Sequence, residues 1–173
     1  MDKFIPDIYQ KSIFAIDYEK LKDKGIKCIL FDLDNTIAPV NVPNPDKEIK
    51  DLFADIELLG IKVIILSNSN KNRVRPFKEQ LNVDSSYNSH KPFKKKYKKV
   101  MNIYNFKDNE IACVGDQLLT DVFGANRMGF VSILVNPISN VDYFGTKINR
   151  IFERRIFKKM ERQGLFKVGE YYE

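Results

Sequence analysis

Two aspartates, Asp32 and Asp34, sit in the run Asp32-Leu33-Asp34-Asn35-Thr36, directly after an apolar segment that ends at Phe31. At the end of a strand, side chains two residues apart point the same way, so both carboxylates can face one crevice. Such a pair suits phosphoryl chemistry. One carboxylate attacks phosphorus to form an acyl phosphate, and the other protonates the departing alkoxide. The spacing is common by chance and Asp-Asn also marks turns, so the assignment depends on what the rest of the chain supplies.

Three later segments supply complementary groups. Ser67-Asn68-Ser69-Asn70 follows the apolar run Ile61 to Leu66 and precedes a helical pattern. Hydroxyl and backbone N–H groups there, at Ser67 and Asn68 first, suit phosphate oxygens, although a plain helix cap reads the same way. Lys91-Pro92 opens another helical run, where a lysine would neutralise phosphate and the charge that develops in the transition state. Lys94, Lys95, Lys96, Lys98 and Lys99 follow closely, which keeps a merely solvated lysine open. Gly115-Asp116-Gln117-Leu118-Leu119-Thr120-Asp121 adds two carboxylates, hard oxygen ligands that suit Mg²⁺ if they lie near Asp32. Its bland reading is an aspartate cap with an acidic first turn. His90 is the only histidine, which removes most routes to histidine-based catalysis, and no phosphate-binding or dinucleotide glycine fingerprint follows the first strand.

The elements that must position these groups alternate. Ile26 to Phe31, Ile61 to Leu66, Ile111 to Val114 and Val131 to Val135 are Ile- and Val-rich runs that predict strands buried on both faces, with a further short strand near Val83 to Tyr87. Helical spacing appears at Ile49, Leu52, Phe53, Ile56 and Leu59, at Val74, Phe77 and Leu81, and at Tyr97, Val100, Met101 and Tyr104. A short helix is expected over Tyr18 to Lys24, closed by Gly25. This is the pattern of an α/β fold, a three-layer, doubly wound, Rossmann-like parallel sheet whose reactive groups gather beyond the carboxyl ends of its strands. After Pro137, Ile148, Ile151, Phe152, Ile156, Phe157 and Met160 form an apolar stripe among arginines and lysines, a basic amphipathic helix.

At 173 residues, with 43% hydrophobic and 30% charged residues, the chain suits one globular domain over residues 1–173, with its core at about residues 24–136 and a basic extension at about 142–165. A net charge of +6 favours an anionic partner: a phosphorylated substrate, an acidic lipid surface or nucleic acid. Cys28 and Cys113 lie inside apolar runs and read as core thiols of a reducing compartment. With no signal peptide over Met1 to Asp7 and no run long enough to span a bilayer, the expected location is cytoplasmic, with any membrane contact peripheral.

The ordered set Asp32-Leu33-Asp34-Asn35-Thr36, Ser67, Lys91, and Gly115-Asp116 with Asp121 resembles the four motifs of the haloacid dehalogenase superfamily. The resemblance runs from about Lys24 to Asn136. It implies Asp32 as nucleophile, Asp34 as acid and base, and Ser67 and Lys91 on the phosphate. Mg²⁺ would be held by Asp32, Asp116 and the Asp34 carbonyl, with Asp121 in support. The acid at position 34 points to the phosphoryl chemistry of phosphatases and phosphotransferases rather than to dehalogenases. The short intervals between motifs leave room only for core helices, so a capless core of subclass IIIA and an open site are expected. At finer grain, Lys24-Gly25-Ile26-Lys27, Gly115 to Val122, and Gly124-Ala125-Asn126-Arg127-Met128-Gly129 look like the YqeG-type phosphatases, which are similar to mitochondrial phosphatidylglycerophosphate phosphatases.

That relation implies a lipid-borne phosphate as substrate, with the basic helix within reach of an anionic membrane. The helix could equally pack on the protein's own core. A soluble nucleotide, sugar phosphate or phosphoprotein is the alternative substrate. An RNA- or ribosome-binding module with a vestigial site is the alternative class, permitted by charge but supported by no nucleic-acid motif.

Overall fold

The computed structural model describes residues 1–173. Six strands run parallel: β1 (Ile8–Gln10), β2 (Cys28–Phe31), β3 (Lys62–Leu66), β4 (Asp84–Ser86), β5 (Ile111–Gly115) and β6 (Val131–Val135). They pair in the order β1-β6-β5-β2-β3-β4. The helices are α1 (Tyr18–Asp23), α2 (Lys47–Leu58), α3 (Lys71–Leu81), α4 (Lys94–Tyr104), α5 (Phe123–Met128) and α6 (Phe144–Arg162).

Alternation along each strand divides the core. Ile29, Phe31, Val63 and Ile65 face one side and pack with Leu21 of α1, Phe53 of α2 and Phe77 of α3. Cys28, Leu30, Ile64 and Leu66 face the other and meet Tyr97 and Val100 of α4 and Ala125 of α5. Both faces are covered, which is why these strands read as continuous apolar runs. Phe77 is fully buried, so truncating it to alanine should cost about 3–5 kcal/mol. Side chains of Asp46 and Asn70 cap α2 and α3, accepting from the N–H groups of Ile49 and Arg73 at 2.9 and 3.0 Å.

Two features depart from the sequence expectations. Ile8–Gln10, only three residues long, forms an edge strand parallel to β6. Its other side is covered by the C-terminal tail, where Tyr9 and Tyr172 exchange two backbone hydrogen bonds of 2.9 Å. Non-local pairing at both edges stabilises a segment too short to announce a period of its own. The stripe expected on α6 also splits. Met160 is fully buried and packs with Tyr9, Leu134 and Phe166, with Ile156 and Phe157 alongside. Ile148, Ile151 and Phe152 face solvent instead.

Candidate active site

The strand order turns outward in both directions from β2 and β5, and ligands of open parallel sheets bind at such a switch point. Phe31 of β2 is in register with Val114 of β5, so Asp32 and Asp116 emerge from neighbouring strand ends. Lys91 comes from the segment after β4. Backbone bonds from Ser89 N–H to the Ser67 carbonyl and from Asn88 N–H to the Ser69 carbonyl, 2.9 and 2.8 Å, zip that segment to the loop after β3. The Asn68 side chain braces the same junction. It accepts from Lys91 N–H at 2.7 Å and donates to the Lys91 carbonyl at 3.2 Å, which leaves its backbone N–H and its second amide N–H to meet a phosphate.

Lys91 is buried, with its Nζ 2.6 Å from Asp32 Oδ1 and 2.6 Å from Asp121 Oδ1. Burial alone would lower its pKa, but the two carboxylates outweigh burial and the net shift is upward. Asp121 reaches this position because residue 115 is glycine: a β-carbon there would collide with the Asp121 side chain. The second oxygen of Asp121 accepts from Gln117 N–H at 3.1 Å, within a single π-type turn that runs from Leu118 to Val122. Thr36 Oγ1 donates to Asp116 Oδ1 at 3.0 Å and lies 3.5 Å from Asp32 Oδ2, so one hydroxyl marks where these two carboxylates converge.

Asp32 is 6% exposed. Burial pushes its pKa up to about 8; Lys91 opposes this, while Asp121 and Asp116 add to it. Burial likewise raises Asp116 to about 6 against the pull of Arg150. Burial and the neighbouring carboxylates therefore favour the protonated forms of Asp32 and Asp116. Asp32, Asp116 and Asp121 each offer an oxygen within 4.8 Å of the others, a hard donor set that could bind a cation. The Thr120 hydroxyl, buried beside the cleft, has no hydrogen-bond partner, a further sign that a polar ligand belongs here.

Asp34 lies at the rim of the same cleft. Ser69 Oγ donates to its Oδ2 and Arg73 Nε donates to its Oδ1 at 2.9 Å. Arg73 also donates to the carbonyls of Pro39 and Val42, which ties the loop after Asp34 to α3.

The cleft has a volume of about 510 Å³, and all but one of its 14 lining residues are of polar or glycine type. Asp32, Asp34, Ser67, Asn68 and Lys91 border it, whereas Asp116 and Asp121 lie one layer deeper. Its far wall, unmarked by the sequence reading, is Tyr143, Gly145, Thr146 and Asn149 at the start of α6. No separate cap is present, yet the site is less open than a bare core would be because this helix folds over it. Arg150 anchors the helix, donating to the Asp116 carbonyl at 2.8 Å and pairing with the Asp116, Asp142 and Glu153 carboxylates. Buried Glu153 in turn accepts from Leu119 N–H at 2.9 Å. Arg73, Arg150 and Glu153 have no site role in the sequence reading, and Thr36 enters it only as part of the Asp32 motif. Glu153, an acid on the core-facing side of a basic helix, was the one signal available.

A carboxylate cluster and a buried lysine at the switch point of a capless parallel sheet define a phosphatase of the haloacid dehalogenase type. Within that class, the family described as mitochondrial PGP phosphatase, PGP being phosphatidylglycerophosphate, matches residues 1–139, and the chain belongs to it. A "Probable phosphatase YqeG" from Bacillus subtilis (strain 168) is 41% identical over 161 residues, covering 93% of this chain and 94% of that protein. Phosphatidylglycerophosphate phosphatase 1, chloroplastic/mitochondrial, from Arabidopsis thaliana is 26% identical over 174 residues, covering 93% of this chain but 49% of that protein. The fold also matches D,D-heptose 1.7-bisphosphate phosphatase from B. bronchiseptica complexed with magnesium and phosphate, with a TM-score of 0.52 and 17% identity over 63% of this chain and 80% of that one. No helix is long and apolar enough to cross a membrane.

Proposed function

We propose that the protein is a Mg²⁺-dependent phosphomonoester hydrolase that works through an aspartyl-phosphate on Asp32, with phosphatidylglycerophosphate as the substrate class. The observation that carries this reading is Lys91 Nζ, held 2.6 Å from both Asp32 and Asp121 at the floor of the cleft. An Asp32 oxygen attacks phosphorus and the ester oxygen leaves with a proton from Asp34. Water then attacks the acyl phosphate, giving its proton to Asp34, and inorganic phosphate is released. Ser67, the Asn68 backbone N–H and the N-terminus of α3 receive the phosphate oxygens, while Lys91 offsets their charge. Asp32, Asp116 and the Asp34 carbonyl would hold Mg²⁺, with Asp121 orienting Lys91 in support. The cation would polarise the phosphoryl group and offset the charge of the carboxylates that hold it.

The lipid assignment draws support from the family and from the Arabidopsis relative. The polar cleft fits a glycerol phosphate headgroup and leaves acyl chains outside, at a surface that could meet an anionic membrane. The same polarity keeps a soluble phosphate ester as the second reading. Residues 1–173 act as one unit in this scheme, because Arg150 and Glu153 join α6 to the loop that carries Asp116.

A substrate panel tests both levels. Phosphatidylglycerophosphate in detergent should lose its terminal phosphate in the presence of Mg²⁺, with a phosphoryl group trapped on Asp32 by mass spectrometry. Turnover of soluble esters with indifference to the lipid would remove the lipid assignment. Full activity in Asp32→Asn would remove the nucleophile.

A further inference from the structure

On the flank of α6 opposite the catalytic cleft lies a second cavity, of about 620 Å³. Its floor is apolar, built from Leu134, Phe157 and Phe166, and exposed Ile151 and Val168 stand at its mouth. Three carboxylates border it, Asp116, Asp142 and Glu153, and Arg150 engages all three. Lys147 and Arg154, both exposed and both on its rim, have no carboxylate partner. They stand on one face of α6, two turns apart, at roughly 10 Å along the axis. An apolar floor with two uncommitted cations at its mouth is complementary to an anion that carries a hydrocarbon chain.

The surroundings indicate where such a ligand would come from. Next to the mouth, the outward side of α6 exposes Phe144, Ile148 and Phe152, with Phe144 80% exposed, and further along the helix Arg155, Lys158, Lys159 and Arg162. Apolar side chains beside a cationic stretch are what an anionic bilayer surface binds. We infer that this cavity is an anchoring site for an anionic phospholipid of the bilayer, with one acyl chain on Leu134, Phe157 and Phe166 and the headgroup phosphate at Lys147 and Arg154. The cavity is distinct from the catalytic cleft, although Asp116 of the cluster borders it, and the anchoring lipid need be neither substrate nor product. Occupancy sets the start of α6, the far wall of the cleft, against the membrane. The inference rests on the lipid reading above only in making such delivery useful.

Vesicle flotation of full-length Asp32→Asn protein tests it, using phosphatidylcholine alone and a one-to-one mixture with phosphatidylserine, which is neither substrate nor product. Binding is expected to the mixture only. Lys147→Glu/Arg154→Glu should lower the partition coefficient about thirtyfold or more. Val168→Trp, which plugs the mouth without changing charge, should lower it several-fold. Lys95→Glu/Lys99→Glu on α4 should leave it within about twofold. Thermal melts confirm that each variant is folded. No preference for the anionic vesicles overturns the inference. So does an equal loss in the α4 variant, or indifference to the plug, either of which would reduce the effect to net charge. RNA binding in the absence of vesicle binding would assign the cations to nucleic acid and equally overturn it. Vesicle binding without hydrolysis of phosphatidylglycerophosphate would remove the substrate reading and leave this site standing, and the reverse result would do the opposite.

Discussion

The two walls of the catalytic cleft are built from different material. The wall at the strand ends, lined by Asp32 and Lys91 with Asp116 and Asp121 behind them, is buried, and its charges are linked through one lysine and one threonine hydroxyl. The wall at the start of α6, with Tyr143, Thr146 and Asn149, is neutral, polar and partly exposed. A buried charge cluster is costly to hold and useful only if it acts on the reacting atoms, whereas a neutral rim can select a substrate without touching them. On the mechanism proposed above, the first wall would carry the chemistry and the second the recognition. Substitutions on the two walls should therefore fail in different ways.

The largest effect is expected at Asp32. If Asp32 is the nucleophile proposed above, Asp32→Asn should lower kcat by about a thousandfold or more, because the neutral amide cannot attack phosphorus. It should also raise the melting temperature of the metal-free protein. Burial holds the Asp32 pKa near 8, so at neutral pH the ionised form is disfavoured in the folded state and the uncharged isostere is not. Each kcal/mol gained corresponds to about 2–4 °C for a chain of this size. A lower melting temperature in Asp32→Asn would contradict the charge account of the first wall.

Lys91→Met comes next. It leaves Asp32 and Asp121 buried without their common cation, which should destabilise the fold by about 3–5 kcal/mol, measurable by urea denaturation, and abolish turnover. A near-normal urea midpoint would mean that the lysine contributes nothing to holding the two carboxylates.

Proton binding sharpens the same point. Asp32 and Asp116 titrate near 8 and 6 in the folded chain against roughly 4 when unfolded, so between about pH 4 and 8 the folded state holds more protons. Stability of the metal-free protein should therefore fall as pH rises through that window. Mg²⁺ competes with those protons, so the rise in melting temperature that it gives should be larger at pH 8 than at pH 5.5. An increment that does not change with pH would show that the cation binds elsewhere.

The first wall was legible in the sequence because its residues follow the apolar runs of β2, β3 and β5, and strand ends are where open parallel sheets keep their chemistry. Lys91 shows the limit of that legibility. Nothing in composition separates it from Lys95 or Lys99, which remain exposed on α4, because its burial depends on the pairing of residues 88 and 89 with the loop after β3. The far wall escaped for a related reason. Thr146, Asn149 and Arg150 acquire meaning only when α6 docks, and docking is set by Glu153 and Met160 against Leu119 and Tyr9, contacts distant in sequence. β1 went unread because three residues carry no period, and its partners are β6 and the far end of the chain.

The smallest effect belongs to the far wall and tests the division most directly. Asn149 borders the cleft, and its side-chain amide donates only to Gln117 Oε1, at 3.4 Å, a neutral contact. If this wall selects substrate, Asn149→Ala should raise KM about three- to tenfold, the worth of one neutral hydrogen bond, and leave kcat within about twofold. Thr146→Ala should act in the same direction. The effect should be larger for a substrate with a glycerol phosphate headgroup than for a small aromatic phosphate ester, which ends short of the wall. A fall in kcat at unchanged KM would mean that α6 belongs to the reacting machinery, and the separation of chemistry from recognition would fail.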